Sequence, residues 1–346
     1  MMANNKDIYS RHAHYLEQYY NGQADRFIPF LNKAMKKIKA ELLKTNTVNN
    51  ANRQKAKLDL IEEIIQEHYG EFTIAIQEEL ALFANSEAEF AVGALETEGV
   101  YNTKLPSASQ TVAAINARPF NGVILKDYFK NFPKQQAKAI RNTISTGFFE
   151  GSTTQQIVSE VLGTKSSGYT DGFVNISRTS ADRMVRTSLN HTSATAKEKV
   201  FEDNDDLIPY YEWVSTLDSR TSHLCQSRDG NVYKVGKGPL PPAHYNCRST
   251  TSPVFDEDVK LVKGELTKID QGGLRSSLDG NVSGDINYND WLKRQNKSFQ
   301  IDALGTKRAE LFRKGGLTVD KFVNDKGKTL TLEQLKTKYP TAWGKI

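Results

Sequence analysis

Two cysteines and one histidine are the residues of this chain whose types and spacing could do chemistry: Cys225, His244 and Cys247. Thiolate and imidazole are soft and borderline donors, the set that Zn2+ takes in small loop-rich units, and a fourth ligand would complete a tetrahedral site. His223 or Asp218 could stand in as that fourth ligand. A second chemistry makes Cys225 a nucleophile, His244 its base and Asp218 the group that orients the base. A third takes His244 and Asn246 beside paired cysteines as a decayed HNH-type nuclease, in which histidine and metal cleave phosphodiesters. The plainest alternative makes Cys225 and Cys247 small buried residues and holds His244 in a hydrogen-bonded turn. No other cysteine exists, so a disulfide framework is excluded by number. A lone structural disulfide would be unusual in a reducing cytoplasm.

Around these three lies a set of residues better explained by structure than by reaction. Asp218, placed after a strand, can accept backbone N–H bonds and organise a turn, while Arg220 and Arg248 can pair with carboxylates through two parallel bonds. Pro241-Pro242 is expected to fix an extended approach to the His244 turn. Trp213, Tyr233 and Tyr245 supply the aromatic part of a compact knot of turns.

The elements that must position this knot are mixed. Tyr210 to Ser215 has the aromatic and β-branched content of a strand, and Asn231 to Val235 alternates in the same way, with Asp229-Gly230 as the turn between them. Upstream the chain reads as helix. Leu31, Met35, Ile38 and Leu42 keep a 3.6-residue period, as do Ile61, Ile65, Phe72, Ile76, Leu80 and Phe83. Residues 45–50 form a polar cluster suited to a helical hairpin, and Asn21-Gly22 and Pro29 are expected to interrupt the first helix. Residues 99–118 read as a surface connection. Helix resumes with Pro133 in a first turn, followed by Ile140, Ile144 and Phe148. A capping box at Ser152 and Gln155 opens another helix that runs to Leu162. Ile176 to Val200 is a third, whose Arg186 to His191 stretch is polar on several faces; a solvent-facing helix is the preferred reading there, a buried hydrogen-bonding role the alternative. Beyond Phe255 short helices are expected around Tyr288 to Gln295, Ala303 to Phe312 and Leu330 to Tyr339.

The ordered set Asp218, Arg220-Thr221, Cys225, Asp229-Gly230, Pro241-Pro242, His244, Asn246, Cys247-Arg248 and Pro253-Val254 resembles the Mu F-like head-morphogenesis domain of phage proteins. The resemblance spans roughly residues 115–346 and is strongest over 210–255, with Tyr288 to Gln295 and Leu304-Gly305 similar to a trailing segment of such proteins. The chain departs from the family pattern where many relatives carry Cys-x-x-Cys and Cys-Arg-Cys, because Ser222 and Ser249 stand in place of two thiols. Hydroxyls are poor zinc ligands, which counts against both zinc and an HNH site. Residue patterns and resemblance together give an α+β protein with a helical amino-terminal region over 1–110, a Mu F-like domain over 111–256 with a helical lead-in to a small β element, and an extended carboxy-terminal region with short helices over 257–346. The resemblance implies a minor capsid protein of a tailed bacteriophage, not an enzyme, placed in the virion at the inner capsid near the portal vertex and in host cytoplasm during assembly. Portal protein, major capsid or scaffolding protein and packaged double-stranded DNA are the implied partners, and DNA packaging or ejection the implied further roles. The rivals are a metal-dependent nuclease and a zinc-stabilised DNA-binding module; no cofactor is expected otherwise.

Composition agrees with a folded chain. Hydrophobic residues make up 38% of the 346 and aromatics 10%, enough for cores and too much for disorder throughout. The length predicts more than one folding unit. The net charge of +5 comes from 46 basic and 41 acidic residues, a mixed surface rather than a dedicated nucleic-acid groove. Lys33, Lys36, Lys37 and Lys39 form a basic helix face, read as solvated surface with DNA or an acidic partner as the alternative. No apolar run is long enough for a membrane span, and the first residues lack the apolar stretch of a signal peptide, so cytoplasmic synthesis is expected.

Overall fold

A computed structural model of the chain describes residues 5–44, 51–262, 265–269 and 272–346. Helices α1 (Asn5–Asp25), α2 (Ile28–Leu43) and α3 (Ala51–Thr97) come first, then α4 (Ala108–Ala117). The pair β1 (Pro119–Phe120) and β2 (Val123–Ile124) precedes α5 (Leu125–Phe149), α6 (Thr154–Leu162) and α7 (Phe173–Asp203). Strand β3 (Tyr210–Val214), helix α8 (His223–Arg228), β4 (Val232–Lys234) and β5 (Thr250–Val254) follow. Two hairpins come next, β6 (Val259–Val262) with β7 (Glu265–Lys268) and β8 (Leu274–Ser277) with β9 (Gly280–Ser283). The chain ends in α9 (Tyr288–Lys293), α10 (Lys297–Leu304), α11 (Thr306–Arg313), α12 (Leu332–Lys338) and α13 (Pro340–Trp343). The fold is α+β, as the sequence implies. Among the described residues no helix is long and apolar enough to cross a membrane.

Several local expectations need correction. Helix α1 runs through Asn21-Gly22, and the break falls at Arg26-Phe27, where the buried Phe27 ring pins the bend. Pro29 sits in the first turn of α2, where its missing N–H would have had no helical partner. Residues 45–50, expected to turn between helices, lie outside the described residues. Part of the expected 99–118 connection is helix α4. Pro133 is inside α5, not in its first turn, and its ring joins Phe129, Phe132 and Ile140 on the buried face. The capping box at the start of α6 uses Thr153 and Gln156, one residue later than expected.

The chain divides into two compact units, each assembled from separated stretches. One comprises Gln18–Ala84 and Val112–Thr192. Both predicted apolar stripes are buried in it: Leu31, Met35, Ile38 and Leu42 on α2, and Ile61, Ile65, Phe72, Ile76, Leu80 and Phe83 on α3. Phe27 meets Tyr69 and Phe72 edge-on at 4.9 and 4.7 Å between ring centres, and Ser177 donates to the buried Tyr69 hydroxyl at 2.8 Å. The four lysines of the α2 face are exposed.

The reading of Arg186 to His191 as solvent-facing is overturned, for Thr187, Ser188, Leu189, Asn190 and His191 are all buried. His191 places Nε2 3.2 Å from the Ile115 carbonyl, so its polar side chain is enclosed with a backbone partner. Periodicity cannot reveal a helix that is buried on a polar face, because the usual cue is an apolar stripe.

The other unit comprises Met1–Glu17, Asn85–Thr111 and Ser193–Ile346. Its sheet has the order β4-β3-β5, antiparallel throughout, with Tyr211 opposite Tyr233 on one side and opposite Pro253 on the other. One apolar cluster gathers Tyr9, Leu95, Phe201, Ile208 and Tyr211. The carboxy-terminal stretch, expected as extended with short helices, has those helices and also builds a cluster of its own around Trp291, Leu304, Leu311, Phe322 and Leu335.

Candidate functional site

The segment from Tyr210 to Val254 is built on strand β3, whose Tyr211, Glu212, Trp213 and Val214 are buried. Asp229-Gly230 is not the tight hairpin turn expected between β3 and β4, because residues 215–231 contain helix α8. Gly230 instead takes φ +83° and donates its N–H to the Trp213 carbonyl at 2.9 Å. That left-handed backbone suits glycine, and an added Cβ would lie 3.2 Å from Asn287 Cβ. Ser222 caps α8 by accepting the Cys225 N–H. Asn246 adopts φ +57°, a conformation asparagine tolerates, and Cys247 donates its N–H to the His244 carbonyl at 3.2 Å. This turn aims the His244 and Cys247 side chains at Cys225. The Pro241-Pro242 peptide bond before it is cis.

Cys225, His244 and Cys247 therefore meet. Cys225 Sγ lies 3.2 Å from His244 Nε2 and 3.7 Å from Cys247 Sγ. The three donor atoms are all within 4.8 Å of one another. Ser222 Oγ is 2.8 Å from the same Nε2, and Ser249 hydrogen-bonds to Cys225. The Ser222 and Ser249 hydroxyls thus face the same cluster. Both cysteines are free and buried against the Trp213 ring, while His244 is half-buried. The hydrogen bond with Cys247 lowers the Cys225 pKa to about 7 against the opposing effect of burial, and Ser222 and Ser249 add to the lowering. The same bond and burial push the Cys247 thiol well up. Trp213 donates from Nε1 to Ser215 Oγ at 2.9 Å, and Ser215 Oγ donates to the Cys225 carbonyl at 2.8 Å, which fixes the cluster floor.

The two candidates for a fourth ligand point elsewhere. Asp218 is gripped by Arg248, whose Nη2 donates to Oδ1 at 2.8 Å and whose Nη1 bonds to Oδ2; it also accepts from the Arg220 N–H and the Thr221 hydroxyl, each at 3.1 Å. The Arg220 side chain is 79% exposed and only approaches Asp218, at 3.6 Å. His223 bonds to the Leu304 backbone beside Phe322, and burial lowers its pKa to about 4. Tyr245 exposes its ring, so it is not part of the aromatic core, but its carbonyl accepts from His244 Nδ1 at 2.9 Å.

Sequence reasoning missed Arg275 and Tyr288 as parts of the knot. Arg275 and Asp229 form an ion pair with both side chains at 0% exposure, Nη1 to Oδ2 at 2.8 Å and Nη2 to Oδ1 at 2.6 Å. Asp229 also accepts the N–H of Ser215 at 2.6 Å and of Tyr288 at 2.7 Å. The Tyr288 hydroxyl donates to the Asp218 carbonyl at 2.7 Å. An arginine in the polar Leu274–Ser277 stretch carries no local mark of burial; only the need of buried Asp229 for a countercharge could have pointed to it. Nearby, burial would raise the Glu212 carboxyl, but Lys6 and Lys268 outweigh it and hold the pKa low.

The geometry pairs Cys225 with His244 but does not complete the expected triad, because Asp218 is turned to Arg248. His244 has Nε2 against Ser222 and Cys225 and Nδ1 on a carbonyl, and the carboxylate meant to orient it is bonded to Arg248. The donor set does fit zinc. Metal–sulfur bonds of about 2.3 Å give a tetrahedron edge of about 3.8 Å, close to the sulfur separation seen.

Comparison with known proteins adds one positive finding. Residues 138–252, a third of the chain, match the family model described as Phage Mu protein F like protein. The matched stretch starts within α5 and ends within β5, so it contains the whole cluster. No curated protein and no solved structure matches the chain.

Proposed function

We propose that this chain, whose residues 138–252 form a Phage Mu F-like segment, is a structural protein of a tailed-phage head that acts in head morphogenesis as a minor capsid protein. The observation that carries this reading is how the motif's polar groups are used. Asp218 pairs with Arg248, Asp229 with Arg275, and His244 with Ser222, Cys225 and Tyr245, all within the protein. Residues held in this way build a rigid module suited to attachment. The finer assignment follows from the family resemblance: a few copies per particle at the inner capsid near the portal vertex, with portal, major capsid or scaffolding protein as partners. Contact with packaged DNA, and a part in its packaging or ejection, are consistent with a net charge of +5.

Quantitative mass spectrometry of gradient-purified precursor and mature particles from the phage or prophage encoding the chain tests this. Peptides of the chain should be present at low copy, with cross-links to the portal. Absence from both kinds of particle would overturn the assignment.

A further inference from the structure

The cluster in the Tyr210–Val254 segment has the geometry of a ligand set, and the strongest sign of it lies behind the ligating atoms. His244 donates its Nδ1 hydrogen to the Tyr245 carbonyl at 2.9 Å. That bond fixes the tautomer with a lone pair on Nε2, the atom that faces Cys225 Sγ at 3.2 Å. A metal-bound histidine is held in the same way, its other ring N–H donated to a carbonyl or carboxylate so that ring orientation and ligand basicity are set before the ion arrives. Cys247 receives comparable support from a backbone hydrogen bond with Ala243. The two sulfurs, 3.7 Å apart, are spaced like neighbouring corners of a zinc tetrahedron.

We propose that Cys225, His244 and Cys247 bind one Zn2+ ion, with the Ser222 hydroxyl, or a water it holds, in the fourth place. Two thiolates and one imidazole select zinc over magnesium or calcium, which take oxygen ligands. Ser222 is suited to the fourth place because its Oγ already lies 2.8 Å from His244 Nε2. The ion is a local brace and not the sole support of the fold, since the Asp218–Arg248 and Asp229–Arg275 pairs and the β4-β3-β5 sheet hold the same segment. This inference stands whether or not the chain is found in virions.

The test uses the full chain, purified under reducing conditions without chelator. Elemental analysis should find one zinc per chain. Exchange with Co2+ should give the thiolate-to-cobalt absorption and the visible bands of a four-coordinate ion. Cys247→Ser should lose both while circular dichroism stays helical. Should that variant fail to fold, Ser222→Cys supplies an independent arm: by adding a thiolate it should retain zinc at chelator concentrations that strip the wild type. Folded wild-type chain that is zinc-free and gives no cobalt spectrum would overturn the proposal. So would a Ser222→Cys chain that loses its ion as readily as wild type, because Ser222 would then not be beside the metal.

Discussion

The Arg275 and Asp229 side chains lie fully buried, joined by two parallel hydrogen bonds. Burying such a pair gains little over apolar packing, but removing one partner leaves a charge with no water and no countercharge. Arg275→Met is therefore expected to destabilise the protein by about 3–5 kcal/mol. Urea unfolding of wild type, Arg275→Met and Arg275→Met/Asp229→Asn would check it, the double variant recovering part of the loss. Asp218 makes a pH-dependent contribution. Burial raises its carboxyl pKa, but the Arg248 hydrogen bonds and charge outweigh this and hold it below the ordinary value. With the folded pKa lowered, the stabilisation is present above the unfolded aspartate value of about 3.9 and is lost as pH falls through the folded one. Stability followed from neutral to acid pH should fall more steeply for wild type than for Asp218→Asn; parallel curves would mean that the Arg248 pair contributes nothing.

Helix α7 makes the matching argument for an element. Burial, with the nearby charge of Arg118, lowers the His191 pKa to about 4. A folded pKa below the unfolded value of about 6.5 means that its stabilisation is complete above that pH and is lost as pH falls through 4. His191→Gln should flatten the stability curve across that window, and chemical denaturation at a series of pH values would show it. Equal slopes in the two proteins would place His191 outside the acid response. Helix α6 depends on its start. Thr153→Ala removes the hydroxyl that accepts the Gln156 N–H and should cost about 1 kcal/mol, measurable by thermal unfolding. The α2 and α3 stripes, the start of α6 and strands β3 and β4 were legible in the sequence to within a residue or two, because caps and apolar periods are local patterns. The polar face of α7 was not, because it is buried by neighbours distant in sequence.

Over the whole molecule, the carboxy-terminal region completes the knot. Tyr288 supplies an N–H to Asp229 and a hydroxyl to the Asp218 carbonyl, and the cluster around Trp291 and Phe322 includes Leu217 from the knot itself. A chain ending after Gly284 would lose these partners. Its 210–255 segment should be cut faster in limited proteolysis and melt at a lower temperature than in the full chain. Unchanged protection of that segment would show that the Mu F-like knot is self-sufficient. The amino terminus contributes as well, through Lys6 on the buried Glu212.

Residue type, period and turn chemistry act over a few positions, and so the helical character, the strand-bearing knot and the short list of chemically capable residues could be read from the sequence. It also brought Cys225, His244 and Cys247 under suspicion, but left His223 and Asp218 as equal candidates beside them. Only the tertiary structure turned His223 toward Leu304, gave Asp218 to Arg248, set Ser222 and Ser249 against the thiols and delivered Arg275 to Asp229. Which side chains share a buried space depends on how distant stretches pack, and a charge or hydroxyl taken from water must find its partner wherever that packing puts one.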